Sequence, residues 1–445
     1  MNSLADLLRD RRYLAFWLGQ VTSVVGNALS LVALPALILP ARGPAAFALV
    51  LAAEAVAGVL LLLAGGVVAD RYSRSTVMAV ADVLRMVGVA GLLAFGAYGP
   101  LWLPMTAACL VGIGGALYEP AHRAALPQLV AEPLRQRANA LDSATKRFGA
   151  AGGALAGAAL VVAVGPRGAL LIDLATFAVS LATLAWLRLP PIGGDAPTPG
   201  VRALLDEARQ GVREVRHRPW ALVIMLQGTV QVFFLFGPNY ALMPIVSLDR
   251  YGPAGYGWLS AAASVGMVLG SAVAGRISSR RPGLWAMNVL LPCALLPLCL
   301  AVPVPLPLWC AAQVLAWGGI GVFFVLWFTA LQSEFPAEVQ GRVFSLESIG
   351  NFALQPIAIA AAPMIALTVG LPLFGAVAVV VLLISTYAVF AVPGTVALRS
   401  PARRDGDRAP AVPASAPPAS APPASAPPAS APAASASVPE AASAA

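Results

Sequence analysis

The sequence predicts an all-α membrane protein with twelve spanning helices, built as two parallel six-helix repeats. Composition, the number of long apolar stretches and a repeat at constant spacing lead to this prediction. Of the 445 residues, 59% are hydrophobic and 11% are charged, and the mean hydropathy is +0.80. A soluble domain cannot bury so much apolar side chain, so lipid is the expected solvent.

Roughly twelve stretches are long and apolar enough to cross a bilayer. A spanning helix needs about 20 residues, because each residue advances ~1.5 Å through a hydrocarbon layer of ~30 Å. Runs such as Val59 to Val68 do not alternate between apolar and polar residues, which argues against a β-barrel. The predicted spans are 13–39, 45–69, 76–98, 101–125, 141–164, 167–188, 220–247, 254–277, 284–303, 305–331, 343–369 and 371–391.

The first apolar run follows three arginines but is too long for a signal peptide and lacks a small-residue cleavage pattern, so it predicts a retained helix. The cysteines all fall inside predicted spans, where a small polarizable side chain packs well. We expect neither a disulfide nor a metal site from them. They are Cys109, Cys293, Cys299 and Cys310.

Basic residues give the expected orientation. Only three of the 28 Lys and Arg residues, Arg42, Arg167 and Arg250, lie in the predicted outer connections. This asymmetry predicts a multi-pass protein of the inner (cytoplasmic) membrane with both termini in the cytoplasm, in agreement with an even number of spans. The net charge of +8 is then typical of membrane anchoring, and no nucleic-acid partner is expected.

The chain repeats itself at an offset of 205 residues. GGVVADR at 65–71 matches GSAVAGR at 270–276, and residues 125–143 match 330–348 without a gap, with Arg137 meeting Arg342. Parallel repeats of six spans place a substrate site near the midplane between them. The expected domains are a first bundle at 1–188, a linker at 189–219, a second bundle at 220–395 and a tail at 396–445.

The linker and the tail differ in pattern. Apolar residues recur at helical spacing from Val201 to Val215 with arginines on the opposite face, which predicts an amphipathic interfacial helix, with a solvated linker as the alternative. The tail repeats ASAPP from Ala414 onward. Such a composition does not bury a core, so we expect disorder there.

The segment GVVADRYSRS at 66–75 resembles the signature loop of the major facilitator superfamily, GxxxDRxGRR. LYEPAHRAALPQLV at 117–130 and RANALDS at 137–143 are similar to the subgroup of enterobactin exporters and macrolide-efflux proteins. The resemblance covers about residues 1–395 and implies a transporter whose halves alternate access to one central site. In the first loop Gly66, Asp70, Arg71 and Arg74 match, whereas Ser73 and Ser75 depart from the pattern.

Two further departures concern proton antiport. Drug:proton antiporters of the superfamily commonly carry RxxQGxG in the fourth span, but Ala108 and Val111 occupy the Arg and Gln positions here. FGAAGG at 148–153 keeps the glycines of the fifth-span motif without its proline. Proton antiport is therefore expected from the superfamily resemblance, and these two motifs do not support it.

The energy source follows from exclusion. The only lysine, Lys146, is followed by Arg147, so a phosphate-binding GxxxxGK[ST] loop is absent. No soluble segment offers room for a catalytic domain, so neither enzyme activity nor a cofactor is expected. Secondary transport remains, and we expect a small-molecule substrate, protons as the coupling ion and a monomer in the lipid bilayer.

Ionisable groups inside a span cost at least ~2.5 kcal/mol and are candidates for function. Glu54 and Asp173 are the two candidates for coupling, since removal from water favours the neutral form of an acid and suits it to gain and lose a proton. The alternative is that each carboxyl only orders helix packing through a hydrogen bond.

Charges near the inner helix ends are expected to form a gate, with Asp70 pairing across the interface between the halves. Asp82, Arg85, Glu119 and Arg147 are also predicted to lie at these ends. The gate candidates are Asp70, Arg71, Arg74, Asp142, Arg342 and Glu347.

Polar and aromatic residues in the spans are expected to line the cavity and to suit a bulky amphiphilic ligand. For each of them, an interhelical hydrogen bond or a lipid-facing ring is the alternative. His122 and His217 lack metal-ligand spacing, so no metal is expected. The substrate candidates are Asn27, Tyr118, Gln227, Gln231, Asn239, Trp317, Asn351 and Gln355, with Gln313 beside them.

The leading hypothesis is a secondary transporter that exports drugs, siderophores or secondary metabolites by proton exchange. A nutrient or sugar importer on the same fold is the alternative, although the few polar residues expected in the cavity favour it less. A membrane sensor without transport is a third hypothesis, but the large signalling domain that it requires is absent from the sequence.

Overall fold

Apolar helices build the fold, because backbone groups in lipid must bond within their own segment. The computed structural model describes residues 4–187, 189, 209, 211–277, 279, 281–352 and 354–399, and no strand occurs in these ranges. Only the backbone is described for 4–6, 62–71, 337–338, 345, 348–349 and 351–352. The described residues fall within one compact unit, Met1–Pro401, and the all-α membrane fold is confirmed.

The helices follow one another with short connections. A 3-10 turn, Glu132–Leu134, precedes α5, a π segment, Val232–Phe236, joins α6 to α7, and a second 3-10 turn, Leu291–Ala294, joins α8 to α9. The helices are α1 Leu4–Arg9, α2 Arg11–Arg71, α3 Arg74–Phe95, α4 Trp102–Leu129, α5 Arg135–Leu187, α6 Pro219–Gln231, α7 Gly237–Ala274, α8 Pro282–Asn288, α9 Leu295–Ala301, α10 Leu306–Glu334, α11 Ala337–Phe352, α12 Gln355–Val369 and α13 Leu371–Ala388.

Three of these elements are pairs of helices that meet at a glycine. Gly43, Gly165 and Gly252 have φ values of 77°, 77° and 68°, which only glycine adopts at little cost. A proline follows each glycine and starts the next helical segment, where its missing N–H is not needed. The sequence predicted a break between two spans at each of these positions, and the breaks are confirmed.

In the described ranges, seven helical stretches are long and apolar enough to cross a membrane. Three of the seven contain a glycine turn, and the count of twelve spans stays a prediction. The predicted continuous span 343–369 is wrong, because α11 and α12 are separate helices with Leu354 between them. Pro356 lacks an N–H and restricts the residue before it, which explains a break at this point.

The same arginine arrangement occurs in both halves. Arg42 donates hydrogen bonds of 2.6–3.0 Å to the carbonyls of Phe95, the last residue of α3, and of Gly96 and Gly99 after it. Arg250 donates bonds of 2.9–3.1 Å to the carbonyls of Cys299 and Leu300 in the last turn of α9 and of Val302 after it. Each guanidinium satisfies carbonyls that a helix end leaves without an intrahelical partner, so two of the three predicted outer arginines act as helix caps.

Two ends of the molecule can be distinguished. The glycine-turn end holds Arg42 and the turn at 95–99, and Arg167 lies over the ring of Tyr98 there, with 5.6 Å between the guanidinium carbon and the ring centroid. The basic end holds the start of α2, where Arg12 donates to the carbonyl of Leu187 at the end of α5. Successive long helices run between these two ends in alternating directions.

Candidate functional site

A cavity of about 1200 Å³ lies between the two halves of the chain. The first half contributes α2, α3, α4 and α5 to its wall, and the second half contributes α7 and α12. Among the described residues, all charged side chains in this lining belong to the first half. The polar part of the lining is Asn27, Ser30, Glu54, Arg85, Glu119, Arg123, Asp173, Tyr240, Tyr256 and Gln355.

Both predicted coupling carboxyls line this cavity, but in different surroundings. Asp173 is 1% exposed and accepts hydrogen bonds from the hydroxyls of Ser30 and Thr176. In the described part of the chain, the Glu54 carboxyl takes part in no hydrogen bond or salt bridge. Asp173 is therefore held in place by α2 and by its own helix, whereas the Glu54 side chain is free to exchange partners.

Close helix packing fixes the backbone at Glu54. Gly112 of α4 lies so near that a Cβ on it would collide with the Glu54 carbonyl oxygen. A glycine at this point lets α4 approach α2, which holds the two cavity walls together.

Arg85 is the centre of a buried polar network. Its Nη2 donates to Asn27 Oδ1 at 2.6 Å, and its Nη1 lies 3.4 Å from Asp82 Oδ1. The guanidinium carbon lies 5.3 Å and 5.1 Å from the ring centroids of Tyr118 and Phe177, within the range of cation–π attraction. The network joins α2, α3, α4 and α5 through one cation.

Asp82 completes this network. It is fully buried and accepts a hydrogen bond of 2.6 Å from the Ser180 hydroxyl of α5. The prediction that Asp82 and Arg85 lie at an inner helix end is therefore wrong, because both side chains point into the bundle and Arg85 reaches the cavity. Their spacing of three residues on one helix was the available signal for a pair.

A second charged group, here named the mouth cluster, consists of Glu119, His122, Arg123, Asp142 and Lys146. His122 Nε2 lies 2.8 Å from Asp142 Oδ1, and Lys146 Nζ lies 3.2 Å from Asp142 Oδ2 and 2.8 Å from Glu119 Oε1. Arg123 pairs with Glu119 at 3.0 Å. The cluster joins α4 to α5 near the basic end, and Glu119 and Arg123 also line the cavity.

The predicted substrate residues are scattered. Asn27 and Gln355 line the cavity. Tyr118 donates to Gln20, Gln227 donates to Thr386, and Trp317 donates to Gln313. The candidates found outside the cavity lining are Tyr118, Gln227, Gln231, Asn239 and Trp317, and the side chain of Asn351 lies outside the described residues. Their polarity alone does not reveal which helix face they occupy.

The predicted gate residues are partly described. Arg74 and Glu347 are buried, at 7% and 9% exposure, and both have interaction partners. Asp142 contacts His122 and Lys146 of its own half, and the side chains of Asp70 and Arg71 lie outside the described residues. Arg342 lies where its carbonyl oxygen would meet a Cβ on Gly211, so α11 packs against the end of the linker.

The two serines that depart from the signature loop have visible partners. Ser73 donates to the carbonyl of Leu189 at 2.5 Å, and the N–H of Leu189 donates to Ser75 at 3.0 Å. They bind the backbone that follows α5 and thereby tie the start of α3 to it. Most of the linker, 190–208 and 210, and the tail from 400 onward lie outside the described residues.

A family model described as Major Facilitator Superfamily matches residues 16–355. The chain belongs to this superfamily. It is thus a multi-pass transporter of a membrane, and the resemblance to this superfamily predicted from the sequence is confirmed. Within the described residues, no three His, Cys, Asp or Glu side chains gather in a way that could hold a metal ion.

Curated relatives of the superfamily cover most of the chain. It is 26% identical over 389 residues to the multidrug efflux pump Tap of Mycolicibacterium fortuitum, a match that covers 83% of this chain and 93% of the relative. It is 27% identical over 410 residues to the multidrug efflux pump Tap of Mycobacterium tuberculosis, with 87% and 93% covered.

Solved structures share the fold. A bacterial homologue of the iron transporter ferroportin, in its inward-facing state, superposes with a TM-score of 0.68 at 15% identity, covering 87% of this chain and 99% of that one. A D-xylose-proton symporter superposes with a TM-score of 0.59 at 13% identity, covering 84% and 96%. At these identities the likeness concerns the fold alone.

Proposed function

We propose that the protein exports amphiphilic small molecules in exchange for protons. The observation that carries this proposal is the cavity between the halves, where Glu54, Asp173 and Arg85 face an apolar and aromatic wall. An amphiphilic compound needs both kinds of surface, and a largely apolar pocket with few polar groups suits such a ligand. Two relatives that match most of the chain bear the name multidrug efflux pump, which supports efflux as the direction.

The basic end faces the cytoplasm in this proposal. The start of α2, the loop at 72–75 and the connection before α5 all carry arginines at that end, as the positive-inside rule requires. Two of the three predicted outer arginines, Arg42 and Arg250, cap helix ends and so have a separate reason to be there. The chain then works as a monomer in the cytoplasmic membrane with both termini inside.

The two carboxyls have different parts in coupling. Glu54 takes the proton that drives exchange, because its carboxyl has no competing hydrogen bond or salt bridge within the described residues and faces the cavity. Asp173 lies in the same cavity but accepts bonds from Ser30 and Thr176, so we propose that it holds the binding geometry and exchanges its proton more slowly. Arg85 keeps a fixed positive charge nearby.

A gate at the basic end closes the cavity toward the cytoplasm. We assign to it Asp142 and Arg74 of the first half, Arg342 and Glu347 of the second half, and the loop residues Asp70 and Arg71. Opening and closing of such contacts is how rigid halves change access in bistable proteins. In this proposal Asn27 and Gln355 contact the substrate directly, since both line the cavity.

The test uses everted membrane vesicles that contain the full chain. A pH gradient, acid inside, should drive uptake of candidate amphiphilic dyes, and collapse of the gradient with an ionophore should stop it. E54Q should reduce gradient-driven uptake at least about tenfold, by analogy with loss of an essential proton-transfer group, with normal membrane insertion. D249N is the matched control, because Asp249 is an exposed carboxyl outside the cavity lining.

The result also separates export from import. An importer would accumulate its substrate in right-side-out vesicles, whereas the exporter accumulates it in everted ones. Unchanged gradient-driven uptake in E54Q would reject the coupling role of Glu54, and uptake that ignores the gradient would reject proton exchange altogether.

A further inference from the structure

The mouth cluster contains a buried histidine to which the proposed transport cycle assigns no role. His122 is 1% exposed. Its ring stacks between Phe16 of α2, at a centroid distance of 4.7 Å and an interplanar angle of 8°, and Tyr118 of α4, at 5.8 Å and 12°. The two stacked rings fix the plane of the imidazole, so its nitrogens keep their directions.

The two ring nitrogens have different surroundings. Nε2 lies 2.8 Å from Oδ1 of Asp142. Nδ1 is buried and has no hydrogen-bond partner among the described residues. A neutral imidazole has one N–H donor and one acceptor nitrogen. His122 can therefore take up a proton without breaking a hydrogen bond to the protein.

That proton would change the charge balance of the cluster. With a neutral His122, two carboxylates, Asp142 and Glu119, face two cations, Lys146 and Arg123, through contacts of 2.8–3.2 Å. With a protonated His122, Asp142 faces a cation on each side. Asp142 also contacts Lys146, and Lys146 contacts Glu119. The charge on the buried ring therefore affects the contacts of a residue that lines the cavity.

We infer that His122 is a proton-responsive site that sets how firmly α4 is held to α5 at the cytoplasmic mouth of the cavity. Protonation turns the contact to the Asp142 carboxylate from a hydrogen bond with one charged partner into an ion pair, which adds the attraction of opposite charges in a buried place. α4 is then held more firmly to α5 beside Ala124, and a reagent reaches this part of the cavity wall less often. The inference rests on the proposed function for the orientation of the chain in the membrane and for the use of this mouth in transport.

Other charged and titratable groups surround His122, so a change of pH can act on more than the imidazole, whose ordinary range lies near neutral pH. The H122F variant separates the response of His122 from theirs. Tyr13 of α2 is close enough to Asp142 to interact with its charge. The charged and titratable groups around the site are Tyr13 from α2, Asp82 and Arg85 from α3, Tyr118, Glu119 and Arg123 from α4, and Asp142 and Lys146 from α5.

The test measures access to the mouth without any substrate. Ala124 lines the cavity beside Arg123, so A124C is introduced into the full chain after its four native cysteines are replaced. A membrane-impermeant maleimide is applied to everted vesicles at about pH 6 and about pH 7.5, either side of the ordinary imidazole range midpoint. E132C, at an exposed position in the turn before α5, corrects for the effect of pH on the thiol itself.

The labelling rate of A124C relative to E132C should be about threefold lower at the acidic pH, as expected for a modest change in contact strength. H122F keeps a ring between Phe16 and Tyr118 but carries no nitrogen, so the difference should vanish. D142N removes the anion while it keeps the histidine, and should abolish the difference as well if H122F does not accumulate. W327F, at the matched position of the second half, should retain it.

The same pH ratio in H122F or D142N as in the parent chain would overturn the inference. So would a parent ratio that does not change with pH. If E132C does not react in everted vesicles, the orientation fails and the cytoplasmic site with it. If the parent chain shows the expected labelling but no gradient-driven uptake in the transport assay, the proposed function is rejected and the role of His122 is not.

Discussion

The two halves of the chain share their geometry but not their chemistry. At the repeat offset of 205 residues, three charged residues of the first half meet apolar residues that are 0–2% exposed in the second. The buried cation and the carboxyls thus have no counterparts. The matched pairs are Glu54 with Leu259, Asp82 with Met287, and Arg85 with Leu290.

The stacked rings of α4 and α10 show the same difference between the halves. Tyr118 and His122 stack at 5.8 Å and 12°, and the matched Phe323 and Trp327 stack at 6.2 Å and 10°. The stacked arrangement is the same in both halves, although the second half has phenylalanine and tryptophan where the first has tyrosine and histidine. We interpret this difference as a division of labour, in which the first half handles charge and the second half supplies an apolar wall.

The largest expected effect comes from copying the second half into the first. R85L should lower the free energy of unfolding by about 3 kcal/mol, because it leaves the Asp82 carboxylate buried without its cation. D82M/R85L copies both matched residues and should recover most of that loss, since an apolar pair can replace a buried ion pair. Thermal unfolding in detergent measures both, and transport should be lost in both.

A double variant that is less stable than R85L alone would break the comparison. It would mean that the surroundings of the two sites differ in shape as well as in polarity. T386S is a suitable control for the effect of a mild buried substitution on thermal unfolding, because Thr386 is buried in the second half and lies outside the cavity lining.

A smaller effect is expected where both halves need close helix contact. G112A should destabilise the protein by about 2 kcal/mol, because the new methyl group meets the Glu54 carbonyl oxygen. G270A should behave alike, since a Cβ there meets the Gly318 backbone. G115A has open space around it and should be neutral or slightly stabilising. Thermal unfolding of the three variants sharpens the claim that packing is shared.

The smallest effect is expected at the helix caps. R42A and R250A each remove hydrogen bonds to carbonyls at the glycine-turn end, and each should lower stability by about 1 kcal/mol, as for a cation at a partly exposed helix end. The two losses should be similar and additive, because the sites lie in different halves. Urea or thermal titration of both single variants and the double variant measures this, and strongly unequal losses would contradict a shared capping role.

Much of the fold followed from the sequence because its cause is local. The limits of the predicted apolar spans placed breaks at Gly43, Gly165 and Gly252, and the Gly-Pro pairs there supply the local cause. The break at Leu354 was missed, since an apolar run gives no sign of where α12 restarts. Packing against other elements decides such a break, and the sequence pattern does not contain it.

The site was predictable only in part. Glu54 and Asp173 stood out because charge in an apolar run is rare, and both line the cavity. The roles of Asp82 and Arg85 in the buried network depend on Asn27, Ser180 and the rings near them, which come from other helices. The sequence analysis considered His122 only as a metal ligand and excluded that role. Its aromatic stack could not be predicted, because it forms only when α2 and α4 pack together.

Access to the cavity from each side tests the central claim most directly. Ala55 lines the cavity on α2, and A55C in a background without native cysteines can be labelled with an impermeant reagent from either face of the membrane. Alternating access predicts that the thiol reacts from both faces, and that a transported compound slows labelling from both. A thiol that reacts from one face alone under every gradient and with every compound would contradict the account.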